Sequence, residues 1–247
     1  MSAALRLPDR ADSLAWAGDG AAHLRGLMVR MGDEAFRAPS LLPGWTRAHV
    51  LTHVARNADA MINLVTWAKT GEPTLAYPSR AGRDGDIEAG AMRSPEEIRA
   101  DVLDSSDRLA DAVRSMPEQA WSTVVETPQG IRLPATMIPW GRAREVWIHA
   151  VDLDVGASFA DMPQPMLTVL VADVGAHMST RDGCPHVLLE ASDTGEIVEI
   201  GPGPGGGDVG TVRGAAPDLA AWLLGRTKGT GLRGPDGKKP GPLPAWL

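Results

Sequence analysis

One apolar segment, residues 138–155, carries a carboxylate and an imidazole at positions that restrict how it can fold. Within it, Glu145 and His149 are four residues apart among Trp, Ile and Val. On an α-helix, residues i and i+4 lie above one another on the same face, so both side chains would point into the same space. The segment is apolar around most of its circumference, which predicts a buried helix. A buried carboxylate needs a partner, which could be Arg142 or Arg144, a hydrogen-bond network or a metal ion.

Three segments upstream predict helices that could pack against this one. An Ala- and Leu-rich stretch predicts a first helix over 11–31, and Thr46 predicts the N-cap of a second helix with an apolar stripe. The sequence SPEE at 94–97 has the form of a capping box and predicts a third helix that ends before Pro117. Four helices with these spacings predict a bundle, in which sites are built from side chains on facing helices.

The sequence after residue 163 changes to shorter segments. Two helices and three strands are predicted there, at 166–180, 187–191, 197–200, 208–213 and 217–225. Short strands combined with two helices predict a small α/β domain. The expected fold class is therefore α+β, with an N-terminal four-helix bundle at residues 1–160 and a smaller C-terminal α/β domain at residues 161–247.

The charge and cysteine content of the chain narrow its expected partners. A formal net charge of −7 over 247 residues, without a run of Lys or Arg, argues against nucleic acid or a membrane surface as partner. No apolar stretch reaches the length of a membrane-spanning helix. Cys184 is the single cysteine, and the N-terminus lacks the pattern of a secretory signal, so a cytoplasmic protein is expected. The expected partner is a small molecule, and the expected oligomeric state is a monomer.

A third metal ligand could come from the second predicted helix. His53 falls on the edge of its apolar stripe, towards the seam with a neighbouring helix. Together with Glu145 and His149 it would satisfy the catalytic zinc pattern of three protein ligands and one open position. Asp152 could accept the second ring N–H of His149. The alternatives are that the histidines are ordinary helix residues and that Asp152 is a surface charge.

Other catalytic motifs find little support in the sequence. Residues 201–206 formally match the dinucleotide-binding pattern G-x-G-x-x-G, but two prolines interrupt them and a predicted strand follows where a helix is required. A Ser-His-Asp site lacks the G-x-S-x-G elbow. Cys184 lies between glycine and proline without a helix N-terminus to lower its pKa, which predicts a buried or incidental thiol.

Four stretches of the sequence together closely resemble the mycothiol-dependent maleylpyruvate isomerases. They are SLLPGWTRAHVLTH at 40–53, NLVTWAKTGE at 63–72, REVWIHAVDLD at 144–154 and LAAWLLGR at 219–226. The resemblance extends to the closing PAWL and implies a DinB-like four-helix bundle joined to a small α/β domain. It also implies zinc and mycothiol as cofactors, His53, Glu145 and His149 as metal ligands, and a functionally important arginine at Arg226.

The resemblance implies an enzyme that isomerises maleylpyruvate to fumarylpyruvate in gentisate-type degradation of aromatic compounds. In this hypothesis a zinc-bound mycothiol thiolate adds reversibly to the alkene, and the planar fork of Arg226 binds a carboxylate of the anionic substrate. Without the resemblance, Arg226 would be interpreted as a solvated arginine after a helix. The competing functions are a mycothiol S-transferase, a zinc hydrolase that needs no thiol, and a carrier or sensor without catalysis.

Overall fold

The computed structural model describes residues 8–203 and 209–246. The chain divides into two compact units, one formed by Asp9–Ala157 and the other containing the chain from Ser158 onward. The first unit contains α1 (Arg10–Arg30), α2 (Arg47–Thr70), α3 (Arg80–Ala91), α4 (Pro95–Arg114), β1 (Val124–Glu126), β2 (Arg132–Pro134) and α5 (Ile138–Asp152). The second contains α6 (Gln164–Met178), β3 (Val187–Ala191), β4 (Ile197–Ile200), β5 (Gly210–Gly214) and α7 (Ala216–Leu223). Each helix within the described ranges is too short or too polar to cross a membrane.

Helices α1, α2, α4 and α5 form the expected four-helix bundle. Helix α1 packs along α5, while α2 packs against both α4 and α5. The indole Nε1 of Trp147 donates a hydrogen bond to the carbonyl of Trp16 at 2.9 Å, which joins α5 to α1. Close approach of these helices requires a glycine, because a Cβ on Gly20 would lie 2.5 Å from Cγ2 of Val146. The α+β class with an N-terminal bundle is thereby confirmed.

Helix α2 turns its predicted apolar stripe into the core of the bundle. The stripe residues Val50, Val54, Ala58, Val65 and Ala68 are buried, and Met61 is half-buried. At the start of the helix, Nδ1 of His49 accepts a hydrogen bond from the backbone N–H of Thr46 at 3.2 Å. His49 therefore closes the first turn of the helix, whereas His53, one turn later, is buried beside the stripe.

Helix α3 departs from the expectation of four helices. It contains three glycines and many charged residues, a composition that disfavours a helix. Two features compensate: the Ser79 hydroxyl accepts a hydrogen bond from the N–H of Gly82 at 2.9 Å, and Ile87 is buried. The helix packs on α2, where a Cβ on Gly90 would overlap the methyl group of Thr52. Glycine is thus required at this contact for steric reasons.

The second unit combines a three-stranded sheet with α6 and α7. The central strand β3 pairs with β4 in antiparallel and with β5 in parallel orientation. Strands β3 and β4 have the predicted bounds, while β5 is observed at Gly210–Gly214 instead of 208–213, and Asp208 lies outside the described residues. Helices α6 and α7 pack against each other, and α6 also packs on β4.

Two features set aside as non-catalytic both lie in the second unit. Cys184 is buried, and this burial raises the pKa of its thiol. In the glycine-rich motif at 201–206, the first three residues follow β4, and the remainder lies outside the described residues. The next described element is the strand β5, so the described residues do not place after the motif the helix that dinucleotide binding requires. The raised pKa of the Cys184 thiol makes it poorly suited to act as a nucleophile.

Candidate metal centre

The three predicted metal ligands converge between α2 and α5. His53 lies on α2, whereas Glu145 and His149 lie one turn apart on α5. The Glu145 Oε2 atom is 2.9 Å from Nε2 of His53 and 3.3 Å from Nε2 of His149. One donor atom from each residue can be chosen such that all three lie within 4.8 Å of one another. Side chains separated by 92 positions in the sequence therefore point into one small space.

The donor set and its spacing fit a zinc ion. Two imidazole nitrogens and one carboxylate oxygen form a known ligand set of catalytic zinc sites. Ligand bonds of 2.0–2.1 Å at tetrahedral angles separate neighbouring donor atoms by about 3.3 Å. The spacings of 2.9 and 3.3 Å around Glu145 are close to this value. The three residues could thus hold one cation with only small adjustments of their side chains.

The two arginines considered as partners for Glu145 have other contacts. Arg142 is buried and donates hydrogen bonds to the carbonyl of Val54 at 2.8 Å and to Oδ1 of Asn57 at 2.9 Å. Its charge therefore satisfies polar groups of α2. The guanidinium of Arg144 lies over the ring of Trp140, 6.0 Å from its centroid. Glu145 accepts hydrogen bonds from His53 and His149.

Asp152 orients one ligand ring. Its side chain is fully buried, and its Oδ2 atom is 2.9 Å from Nδ1 of His149. A carboxylate at this distance holds a proton on Nδ1, so Nε2, which faces Glu145, is the ring atom that could bind a metal once its own proton has left. The sequence-based expectation for Asp152 is confirmed, and the alternative of a surface charge is wrong.

We expect Asp152→Asn to weaken zinc binding by about 10- to 100-fold, the usual cost of changing a group that supports a metal-bound histidine. The amide keeps the shape of the side chain but removes the negative charge that makes the imidazole a stronger ligand. Competition with a chromophoric chelator measures the change. Asp154→Asn is a matched control, because Asp154 is exposed and has a φ of 52°, which asparagine tolerates. Equal zinc affinity in both variants would contradict the role assigned to Asp152.

The protonation of the cluster follows from burial and hydrogen bonding. Burial lowers the pKa of His53 and outweighs its hydrogen bond to Glu145. For His149, burial also opposes the charged form, but the hydrogen bonds to Asp152 and Glu145 outweigh it and raise the pKa to about 9. Burial alone would raise the pKa of Glu145, yet the hydrogen bonds from both histidines hold it well below the usual value. A cation at His149 must therefore compete with a proton, so zinc uptake should release protons.

The three clustered side chains differ in their exposure to solvent. The side chains of His53 and His149 are 7% and 13% exposed, but that of Glu145 is 29% exposed. The ring of Trp45 packs against His53 with a centroid distance of 5.6 Å, which covers the cluster from another side. Glu145 is therefore the most exposed of the three residues.

Arg83 is a charged neighbour of the cluster that the sequence did not reveal. Its Nη2 atom is 3.3 Å from Nδ1 of His53, and its guanidinium lies 5.8 Å from the ring centroid of Tyr77. The segment that carries it was not predicted to be a helix. The sequence does contain one signal for this helix: serine is a favoured N-cap residue, and Ser79 caps the start of α3.

Arg226, the other predicted functional residue, lies in the second unit, three residues after the end of α7. Gly225 precedes it with a φ of 72°, the left-handed conformation typical of a helix end. The half-buried Arg226 donates a hydrogen bond from Nη1 to the carbonyl of Leu224 at 2.6 Å. Its role in catalysis stays a prediction.

Comparisons with known proteins assign the chain to a family. The profile described as "Mycothiol maleylpyruvate isomerase N-terminal domain" matches residues 17–154, which include the three clustered side chains. Crystal structures of the mycothiol-dependent maleylpyruvate isomerase and of a histidine-to-alanine variant are each 34% identical to this chain, with 100% of both chains covered and a TM-score of 0.90. No curated protein sequence gives a significant match. The chain therefore belongs to the mycothiol-dependent maleylpyruvate isomerase family.

Proposed function

We propose that this protein isomerises maleylpyruvate to fumarylpyruvate, with mycothiol as the required thiol and zinc as the metal. The convergence of His53, Glu145 and His149, in a chain that belongs to this family, is the observation that carries the proposal. The same proposal assigns the enzyme to gentisate-type degradation of aromatic compounds in the cytoplasm.

The reaction requires temporary loss of the cis double bond. Reversible addition of a thiolate to the alkene forms a carbon–sulfur bond and moves the π electrons onto the conjugated carbonyl as an enolate. Rotation about the resulting single bond, followed by elimination, restores the double bond in the trans form and returns the thiolate. An external thiol can supply the nucleophile. A thiol such as Cys184, with its pKa raised by burial, is a poor source of thiolate.

His53, Glu145 and His149 would hold the zinc ion. When bound, zinc supplies the positive charge that keeps a thiol in its thiolate form at neutral pH. Asp152 keeps the ring of His149 in the orientation needed to bind the metal. The exposed part of Glu145 leaves an approach for a thiol and an electrophile.

Arg226 is proposed to bind a carboxylate of the substrate. The guanidinium group is planar and offers parallel N–H donors, which match the two oxygens of a carboxylate. Such a contact would orient the substrate and stabilise the negative charge that develops on thiolate addition. The half-burial of Arg226 supports this proposal, because partial exclusion of water strengthens such an interaction.

The proposed function is tested by incubating zinc-loaded protein with maleylpyruvate, with and without mycothiol, while fumarylpyruvate and free thiol are both quantified. We expect fumarylpyruvate to form only when mycothiol is present, and the free thiol concentration to remain constant. Consumption of one thiol per substrate would identify an S-transferase instead. Turnover without thiol would favour a zinc hydrolase or another metal-dependent reaction, and no turnover under any condition would favour a binding protein.

A further inference from the structure

Arg83 brings a positive charge to the edge of the metal-ligand cluster. It lies on α3, in the same unit as the three ligands, and its side chain is 26% exposed. Its two terminal nitrogens have different partners: Nη1 is 2.7 Å from Oδ1 of Asp84, and Nη2 is 3.3 Å from Nδ1 of His53. Asp84, which is 53% exposed, therefore holds one nitrogen while the other points to the cluster.

The contact between Arg83 and His53 is incompatible with zinc on the opposite nitrogen of the ring. A guanidinium has only hydrogen-bond donors, so Nδ1 of His53 must act as the acceptor in this contact. A neutral imidazole that binds a metal through Nε2 carries its hydrogen on Nδ1. Two donors would then face each other. With zinc bound, Nη2 of Arg83 would lose this acceptor and become available to another one.

We propose that Arg83 binds a carboxylate of the substrate beside the metal ligands. This inference rests on the proposed function, because maleylpyruvate carries a carboxylate at each end and so offers an acceptor to more than one cation. The ring of Tyr77 lies 5.8 Å from the guanidinium and restricts its position by a cation–π contact. Nη1 of Arg83 binds the carboxylate of Asp84, and the Oε2 atom of Glu145 is bound by the histidines. Neither needs Nη2.

The test compares Arg83→Gln and Arg83→Lys with wild type, using Arg80→Gln as the matched control. Arg80 is exposed and lies three residues earlier on the same helix, so its replacement removes the same charge from α3. The probe is maleate, a cis-dicarboxylate, titrated into zinc-loaded protein by isothermal calorimetry in the absence of mycothiol. Bound zinc is quantified in each sample, and zinc affinity is measured by competition with a chelator.

We expect Arg83→Gln to keep zinc affinity at or above the wild-type value and to weaken maleate binding by about tenfold or more, the usual effect of losing a charge-assisted hydrogen bond. Arg83→Lys should restore part of the maleate affinity, and Arg80→Gln should bind like wild type. With maleylpyruvate, the loss in Arg83→Gln should appear mainly as a higher KM.

Three outcomes would overturn the proposal for Arg83: unchanged maleate affinity in Arg83→Gln, loss of zinc from that variant, or no binding of maleate to the wild-type protein. The second outcome would mean that Arg83 supports the structure of the metal site. Failure of the proposed function is seen separately, as missing fumarylpyruvate in the wild-type assay with mycothiol. Maleate binding is measured without that reaction, so the two failures are distinguishable.

Discussion

Replacing His53 by alanine is expected to remove zinc and isomerase activity together. His53 is the one cluster residue from α2, and the two remaining ligands both lie on α5. Zinc bound by a full set of protein ligands gains roughly 10 to 16 kcal/mol, so the loss of one ligand should weaken binding by about a thousandfold. Zinc content after dialysis and turnover with mycothiol measure the two effects.

His49→Ala is the matched control for His53→Ala. His49 lies one turn earlier on α2 and contacts Thr46 and Glu88 instead of the cluster. Its replacement should destabilise the start of the helix by about 1 kcal/mol, the usual cost of a lost cap, and should leave zinc bound. Full zinc occupancy in His53→Ala would contradict the ligand assignment.

Arg226→Ala is expected to retain zinc but to lose most turnover. The residue lies in the second unit and supplies no atom to the cluster of donor atoms, so zinc stoichiometry should be unaffected. If its guanidinium stabilises the charge that develops on the substrate, its loss should lower turnover by about 10²- to 10³-fold. Turnover with mycothiol and zinc analysis on the same preparation measure both quantities.

Two further variants sharpen the test of Arg226. Arg226→Lys keeps the charge but loses the planar fork, so it should recover only part of the activity. Lys228→Ala removes an exposed charge two residues away and should behave like wild type. Full activity in Arg226→Ala would exclude this side chain from the mechanism, and loss of zinc would indicate that the change disturbs the fold.

Helical periodicity predicted the four bundle helices and the convergence of the three cluster residues, whereas the resemblance to the family identified those residues as metal ligands. The spacing of Glu145 and His149 directs them to one face of α5, and the position of His53 at the edge of the α2 stripe directs it to a helix seam. Capping residues predicted where α2 and α4 begin. At α4, the SPEE sequence forms the expected capping box. The position of Asp152 within hydrogen-bond reach of His149 follows from the same helix geometry.

Tertiary packing explains what the sequence did not reveal. Helix α3 has a weak helix propensity, and its glycine at Gly90 serves a close contact with Thr52. Because the sequence pattern did not predict this helix, it did not indicate that Arg83 lies beside His53. That contact depends on how α3 packs. In the second unit, the parallel pairing of β3 with β5 is likewise not encoded in the pattern of either strand, since local alternation does not specify a strand's neighbour.

Anomalous diffraction at the zinc absorption edge, recorded from crystals of zinc-loaded protein, locates the metal and so tests the assignment of its three ligands. We expect one strong anomalous peak within bonding distance, about 2.0 to 2.2 Å, of Nε2 of His53, a carboxylate oxygen of Glu145 and Nε2 of His149. A peak at other residues would contradict this ligand assignment. So would zinc-loaded crystals in which these three side chains are bonded only to one another.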